Sequence, residues 1–389
     1  MPNTIALHQK ARFIGATRFR RKAYGNNHPL AIPRVSLAFD LIKAYGALSD
    51  AEYLAARQAE DEELAGFHST DYLAALKRAE ARGGVTEDER IRYRIGTAEN
   101  PYFESLYSAA ATVAGAGIQA AQQVLQGRVA FNPAGGMHHA RRASAAGFCY
   151  FNDVVLAIEE LRRTGLRVLY VDLDAHHGDA VEEAFYTQAD VFTLSLHMDT
   201  TYAYPFRGGA LLRDCGTPQS AFTTLNLPLP EGTHDAEYRL LFDSVWQPVI
   251  DKFRPEVVVV QAGIDGLEAD PLGKLMLSTQ GWLAVIASIM ASAPYHADGT
   301  PRLLVTGGGG YNPLLLARAW CGLWGLLSGR ELPAAIPPEG SALLRAVGWE
   351  QDEPAVDLCT RLDAVQSLPV RDEILRLAKR AVQHPFLNS

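Results

Sequence analysis

Short runs of β-branched and other apolar residues recur along this 389-residue chain, and segments with helical periodicity lie between them. Several runs are apolar at successive positions, as are strands that are buried on both faces of a parallel sheet. Strands that alternate with helices form βαβ units. The pattern therefore predicts an α/β fold on a parallel sheet, with strands at 5–8 (IALH), 129–131, 168–174, 191–197, 222–229, 257–263 and 302–310.

Helix signals mark five of the intervening segments. Asn100 and Pro101 predict the N-cap and first turn of a helix that ends at Gly127, because Asn caps helices and Pro is tolerated in the first turn. Apolar residues at helical spacing predict the other four, over 153–165, 235–253, 278–292 and 312–329. The Pro-rich stretch 331–340 marks the end of the main body. We expect one domain over residues 1–330 and a helical and loop extension, packed on the same domain, over 331–389.

Charge and composition exclude several classes of protein. The formal net charge is -8, and a nucleic-acid binder normally shows a basic surface instead. The four cysteines are widely separated and form no CxxC pair, which argues against a disulfide framework and suits a reducing compartment. The N-terminus lacks the apolar core of a signal peptide, and no apolar run reaches the length of a membrane span. We therefore expect a cytoplasmic protein that binds neither nucleic acid nor membrane.

Polar side chains follow the predicted strands, at the points where the strands end. Parallel α/β sheets bind ligands at the carboxyl ends of their strands, so we expect these side chains to meet. Period-two spacing places alternate residues of the segment 172–176 on one side of the chain. The residues concerned are His138 and His139 after the strand at 129–131, Asp172, Asp174 and His176 at 168–174, Asp265 after 257–263, and Tyr311 after four glycines at 307–310.

These side chains suggest a metal centre with acid–base groups beside it. Asp174, His176 and Asp265 can supply oxygen and nitrogen ligands to one divalent ion. Three protein ligands leave a coordination position open, which is typical of a catalytic site. A histidine that acts as a base needs a carboxylate to fix its tautomer. His138, His139, Asp172 and Asp179 are sufficient for two such pairs.

Taken singly, each of these features has a simpler explanation. A lone Asp-x-Asp or His-His pair is more often a turn, a cap or a satisfied buried group. The glycine run at 307–310 lacks the Lys-Ser/Thr of a phosphate-binding loop and the spacing of a dinucleotide fingerprint. The occurrence of all the segments in one chain favours a functional site.

The same segments resemble the zinc-dependent histone deacetylase superfamily, which includes bacterial acetoin-utilisation-type proteins and acetylpolyamine amidohydrolases. The resemblance runs from about residue 24 to residue 330. It implies a single arginase-like α/β domain, with an eight-stranded parallel sheet flanked by helices. The motifs are GGMHHARRASAAGFCYFND (135–153), VLYVDLDAHHGDAVEEAFY (168–186), VFTLSLH (191–197), QAGIDGLEADPLG (261–273) and GGGGYNPLLLARAW (307–320).

The resemblance also implies roles for individual residues. Zinc, or ferrous iron in its place, would be held by Asp174, His176 and Asp265. His139 would act as general base and then as general acid, and His138 would tune the electrostatics. Asp179 would pair with His139, and Asp172 would pair with His138. Tyr311 would stabilise the oxyanion. Gly147, Phe148 and Tyr204 would form the walls of the substrate tunnel, with Glu99 at its rim and Leu272 at its mouth. Arg34 would line the product cavity, and Asp172 with Ser195 would bind a structural potassium ion.

The implied function is a metal-dependent amide hydrolase that removes acetyl or another short acyl group from lysine side chains of a protein or peptide. An acetylpolyamine amidohydrolase is the first alternative. In polyamine-specific relatives a glutamate stands seven residues after the second aspartate ligand, where this chain has Leu272, although Glu268 lies nearby. An arginase-type ureohydrolase would need a second metal-binding aspartate cluster, and an inactive acyl-lysine-binding scaffold would have lost Tyr311 or a ligand.

Three departures from the family pattern are visible. Ala180 replaces a usual glycine, and Ile264 stands where alanine is common. The segment 204–216 (YPFRGGALLRDCG) differs from the shorter rim of the eukaryotic enzymes, so the shape of the entrance is the feature that the resemblance defines least. The sequence does not indicate an oligomeric state.

Overall fold

Eight parallel strands form one sheet in the order β2-β1-β3-β8-β7-β4-β5-β6. The computed structural model describes residues 7–25, 27–206, 210–349 and 368–388. This architecture confirms the predicted α/β fold with an eight-stranded parallel sheet. The strands are β1 (Ala11–Gly15), β2 (Tyr53–Ala55), β3 (Val129–Asn132), β4 (Val168–Asp172), β5 (Val191–Met198), β6 (Thr224–Leu229), β7 (Val257–Gln261) and β8 (Leu303–Thr306).

Helices cover both faces of the sheet. Alternate residues of each strand enter opposite cores, so Leu169 and Val171 of β4 face one layer while Val168 and Tyr170 face the other. The helices are α1 (Leu7–Lys10), α2 (Arg34–Ala44), α3 (Asp61–Leu64), α4 (Thr70–Arg82), α5 (Glu87–Tyr93), α6 (Leu106–Leu125), α7 (Asp153–Arg162), α8 (Asp179–Phe185), α9 (Asp235–Phe253), α10 (Thr279–Ser292), α11 (Pro313–Ser328), α12 (Pro338–Arg345), α13 (Asp372–Ala381) and α14 (Pro385–Asn388).

The two helical layers have separate apolar cores. Helices α2, α9, α10 and α11 contribute to the larger core. The opposite core is formed by α6, α7 and α8. This two-sided cover explains why the central strands read as continuous apolar runs. None of the described helices combines the length and the apolar character that a bilayer crossing requires.

The predicted strand at 5–8 is wrong for the part that the structure describes. Residues 5 and 6 lie outside the described residues, and Leu7 and His8 of the predicted strand 5–8 belong to α1. The first strand is instead Ala11–Gly15, which pairs with both β2 and β3. A four-residue apolar run cannot by itself distinguish helix from strand, and tertiary pairing decides the outcome.

The start of α6 also differs from the prediction. The helix begins at Leu106 and not at Asn100. Asn100 is fully buried, and its side-chain oxygen accepts a hydrogen bond from the Phe148 backbone N–H at 2.9 Å. The Asn100 side chain therefore binds the loop that contains Phe148 and does not cap α6. The other four predicted helices are present as α7, α9, α10 and α11.

The C-terminal helices lie against the main body. Helix α12 contacts α2, and α13 contacts α9. The Arg371 guanidinium, just before α13, binds the buried Glu237 carboxylate of α9 at 2.6 Å. These contacts support our proposal that 331–389 extends the domain of 1–330, although 350–367 lie outside the described residues.

Candidate active site

The carboxyl ends of four neighbouring strands carry the polar side chains. β3, β8, β7 and β4 are consecutive in the sheet. Their register aligns Asn132 of β3 with Thr306 of β8, and Gln261 of β7 with Asp172 of β4. The segments that follow these strands consequently leave the sheet at one edge, where the site lies.

Asp174, His176 and Asp265 come together as the sequence predicts. One ligand atom from each lies within 4.8 Å of the other two. The His176 Nδ1 lies 2.8 Å from Asp265 Oδ2 and 3.3 Å from Asp174 Oδ1. Burial and the neighbouring Asp174 charge raise the pKa of Asp265 to about 7. Two buried carboxylates beside one imidazole are costly without a cation, so the donor set fits a divalent metal ion.

Backbone amides and one buried side chain orient the two aspartates. Asp174 Oδ2 accepts hydrogen bonds from the Gly309 backbone N–H at 2.6 Å and from Gln261 Nε2 at 2.7 Å. Asp265 Oδ1 accepts from the Ala175 N–H at 2.7 Å. The sequence analysis missed Gln261. Its signal was a single polar residue at the end of the apolar strand VVVVQ.

His138 and His139 form two carboxylate pairs that face each other. His138 Nδ1 lies 2.8 Å from Asp172 Oδ2, and His139 Nδ1 lies 2.9 Å from Asp179 Oδ1. Their Nε2 atoms are 3.0 Å apart. At that distance one nitrogen must donate and the other must accept.

The electrostatic surroundings decide which histidine holds the shared proton. Burial disfavours charge on both rings, but the Asp172 and Asp174 carboxylates overcome it and raise the pKa of His138 to about 9. For His139, burial and the positive charge on His138 outweigh Asp179 and lower the pKa to about 4. His139 is therefore neutral at pH 7 and can accept a proton.

Two residues at the start of α7 fix the loop that carries the histidines. The Asp153 carboxylate accepts from the Gly136 and Met137 backbone N–H groups at 3.1 and 2.8 Å. The Asn152 side chain donates to the Ala140 carbonyl at 3.1 Å, on the far side of the pair. The sequence predicted Asp153 only as the first residue of a helix, and Asn152 was not singled out.

Tyr311 lies beside the candidate metal ligands at the end of the glycine run. Its ring packs edge-on against His176, with centroids 6.5 Å apart. Burial and the nearby Asp265 and Asp174 carboxylates raise the pKa of Tyr311 well above its usual range. The phenol thus keeps its proton and can donate a hydrogen bond.

The predicted substrate-binding residues line one cavity of about 500 Å³ that ends at His139, His176 and Tyr311. Arg94, Phe206 and Lys274, which the sequence analysis did not name, also line it. Phe206 is 67% exposed and Leu272 is 39% exposed, so the mouth presents apolar side chains. The predicted residues found here are Glu99, Gly147, Phe148, Tyr204 and Leu272.

Glu99 connects two walls of this cavity. Its Oε1 accepts from the Gly147 backbone N–H at 2.8 Å, and its Oε2 lies 3.1 Å from the Arg94 guanidinium. The Tyr204 phenol also donates to this carboxylate. The Tyr204 ring packs edge-on against His139 with centroids 4.7 Å apart.

Arg34 and Ser195, the two remaining predicted residues, lie elsewhere around the site. Arg34 lines a separate cavity of about 140 Å³. Its guanidinium donates to the Gly308 carbonyl at 2.9 Å and lies 5.7 Å from the centre of the Tyr311 ring. Ser195 of β5 is the register partner of Asp172 in β4, and its hydroxyl lies 2.7 Å from His197 Nδ1.

Comparison with known proteins identifies relatives of this chain. Residues 28–327 match the family model for the histone deacetylase domain. Histone deacetylase 1 of Oryza sativa is 39% identical over 319 residues, which are 81% of this chain and 59% of that protein. Histone deacetylase RPD3 of Saccharomyces cerevisiae is 38% identical over 324 residues, 81% of this chain and 71% of the yeast protein. The chain thus spans about three fifths of the length of the rice relative.

Solved structures agree with the sequence comparison. The crystal structure of an HDAC homolog from Aquifex aeolicus matches with a TM-score of 0.89 at 38% identity, over 96% of this chain and 99% of the homolog. A structure of an HDAC homolog complexed with SAHA matches equally well. Since the family model matches residues 28–327, which include every segment of the candidate site, and the solved structure matches 96% of the chain, the chain belongs to the histone deacetylase family.

Proposed function

We propose that this chain is a metal-dependent amide hydrolase that removes an acetyl or other short acyl group from lysine side chains of a protein or peptide. The observation that carries the proposal is the convergence of His139, His176 and Tyr311 at the end of one cavity. A metal ligand, a neutral base and a protonated phenol are the three groups that amide hydrolysis at a metal centre needs.

Asp174, His176 and Asp265 would hold the metal ion, which we propose to be zinc, with ferrous iron as the alternative. A divalent ion bound there supplies Lewis-acid polarisation of the substrate carbonyl and acidifies water. Asp172 and Ser195, side by side on β4 and β5, support a structural potassium site, which we also propose.

The side chains of this protein would then move the protons. His139 is neutral and accepts a proton from the water whose oxygen bonds to the carbonyl carbon. Tyr311 donates a hydrogen bond to the resulting oxyanion. When the C–N bond breaks, His139 returns its proton to the departing lysine amine, and the acyl group leaves as a carboxylate. His138 stays charged against Asp172 and stabilises the negative charge that develops in the site.

The cavity mouth favours acyl-lysine over acetylpolyamines. Leu272 offers the aliphatic stem of lysine an apolar contact. Glu99, Arg94 and Lys274 line the same cavity, and Arg94 pairs with Glu99, so these side chains give the cavity no net negative charge that would attract the distant ammonium groups of a polyamine. Glu268 is exposed and is not among the described residues that line the cavity. We also propose that the protein is cytoplasmic.

The test compares kcat/KM for acetyl-lysine peptides with kcat/KM for N-acetylputrescine and acetylspermidine. We expect the peptides to be preferred and Leu272→Glu to move the ratio toward polyamines by about tenfold, because a carboxylate at the mouth attracts the second ammonium. Leu368→Glu is the matched control, since Leu368 is similarly exposed at 43% but does not line the cavity. Faster hydrolysis of acetylpolyamines than of every acyl-lysine peptide by the unaltered enzyme would overturn the substrate assignment.

A further inference from the structure

The buried carboxylate of Asp270 joins two loops of the site without touching the cavity. Asp270 is 5% exposed. Its Oδ1 accepts from the backbone N–H groups of Leu272 and Gly273 at 3.0 and 3.3 Å. Its Oδ2 accepts from those of Tyr311 and Asn312 at 2.6 and 3.3 Å. Four N–H donors fill the lone-pair sites of one carboxylate, so both loops are held by the same group.

The backbone before Tyr311 has little stiffness of its own. Gly308 has a φ of 157° and Gly310 has a φ of 136°, the latter in a region that residues with a Cβ rarely adopt. The Gly309 N–H is fixed on Asp174, two residues before the phenol. Beyond that point Arg34 holds the Gly310 carbonyl, and Asp270 holds the Tyr311 N–H.

Asp270 therefore makes the last backbone hydrogen bond before the Tyr311 side chain. The other half of its carboxylate holds the loop with Leu272, which lies at the cavity mouth. The Asn312 side chain strengthens this joint, because it donates to the Ala269 carbonyl at 3.2 Å and caps α11 through its own oxygen.

We propose that Asp270 is a positioning residue for catalysis: it sets the place of the Tyr311 phenol relative to the mouth of the cavity and to the metal-binding residues. The inference rests on the proposed function, because it assigns Tyr311 its role as donor to the oxyanion. Asp270 does not line the cavity and is not one of the three candidate metal ligands, so it would act through the backbone of Tyr311.

A double-mutant cycle tests the inference. We expect Asp270→Ala to lower kcat for an acetyl-lysine peptide by about 10–100-fold, since misplacement of a reacting group by roughly 1 Å costs that much. In a Tyr311→Phe background the same substitution should lower kcat by less than about threefold, because the donor that it misplaces is already absent. Metal content should be unchanged in all four proteins.

Asp235→Ala is the matched control. Asp235 is also buried, and its carboxylate also accepts a backbone N–H from another loop, that of Ser278 at 2.8 Å. It lines neither cavity. We expect it to lower the melting temperature with kcat within about twofold of the unaltered enzyme, as a buried structural anchor that lines neither cavity should.

The outcomes separate this inference from the proposed function. If Asp270→Ala lowers kcat by the same factor in both backgrounds, Asp270 does not act through Tyr311 and the inference is wrong. An unaltered enzyme that hydrolyses no acyl-lysine peptide contradicts the proposed function instead. Should Asp270→Ala fail to fold, Asp270→Asn, which keeps the shape and one acceptor oxygen, takes its place in the same cycle.

Discussion

At the scale of single residues, the site depends on which groups hold a proton at neutral pH. His138 and His139 are neighbours in sequence, yet the pKa of His138 is raised to about 9 while that of His139 is lowered to about 4. The difference arises because Asp172 and Asp174 act on His138, whereas His139 lies beside an already charged ring. Charge on one histidine thus keeps its neighbour available as a base.

Removal of the Tyr311 hydroxyl tests the proposed hydrogen-bond donor to the oxyanion. Tyr311→Phe keeps the ring that packs against His176 and removes one hydrogen-bond donor. We expect kcat for an acetyl-lysine peptide to fall by about 10²–10³-fold, as it does when an oxyanion donor is removed elsewhere. Steady-state kinetics and elemental analysis check this, with metal content expected to stay constant. Near-normal turnover would make Tyr311 a wall residue.

The sequence predicted the side chains that carry chemistry better than those that position them. The candidate metal ligands follow strand ends, and so do His138 and His139. Strand ends are visible in the sequence as transitions from apolar to polar residues. Asp270 could not be recognised in this way, because two of its four backbone N–H partners come from residues 41 and 42 positions later in the chain. Such contacts depend on how loops fold over one another.

At the scale of elements, the glycine run at 307–310 brings backbone close to the candidate metal ligands Asp174 and Asp265. A Cβ built on Gly309 would lie 2.0 Å from Asp265 Oδ2 and 2.8 Å from Asp174 Oδ2. The conformation of Gly309 itself lies outside the positive-φ region, so the constraint at this position is space alone. The run therefore shapes the site by the absence of side chains.

Gly309→Ala should displace the two aspartates and weaken metal binding by about 10–100-fold, the range found when groups that orient metal ligands are altered. Competition with a chromophoric chelator measures the affinity, independently of activity. Gly84→Ala is the control, because no atom lies within 4 Å of a Cβ built there. An unchanged affinity in Gly309→Ala would show that the loop does not constrain the ligands.

Among the elements, the central strands and the edge strand β6 were predictable, and the opposite edge, formed by β2 and β1, was not. β4, β7 and β8 are largely apolar on both faces, and β5 alternates apolar residues with Thr193, Ser195 and His197, so each reads as a strand. β2 has three residues and lies at the edge of the sheet, where local sequence gives little signal. The first strand and the start of α6 were likewise set by long-range contacts, of β1 with β3 and of Asn100 with Phe148.

At the scale of the whole molecule, the sheet order explains how residues from distant parts of the chain form one site. β3, β8, β7 and β4 are neighbours in the sheet, although the 170 residues from 133 to 302 separate β3 from β8 along the sequence. Helices on both faces bury these strands, and the segments that follow them are the part of each βα unit that is free to carry function.

The central claim is that one divalent ion, held by Asp174, His176 and Asp265, makes this fold an acyl-lysine hydrolase. The most direct test strips the protein with a chelator and measures acetate release from an acetyl-lysine peptide as zinc is added back. We predict that activity rises from near zero and reaches its plateau at about one equivalent per chain, because three ligands bind one ion, and that Asp265→Asn shows no rise. Full activity in metal-free protein, or a plateau at two equivalents, would contradict the claim.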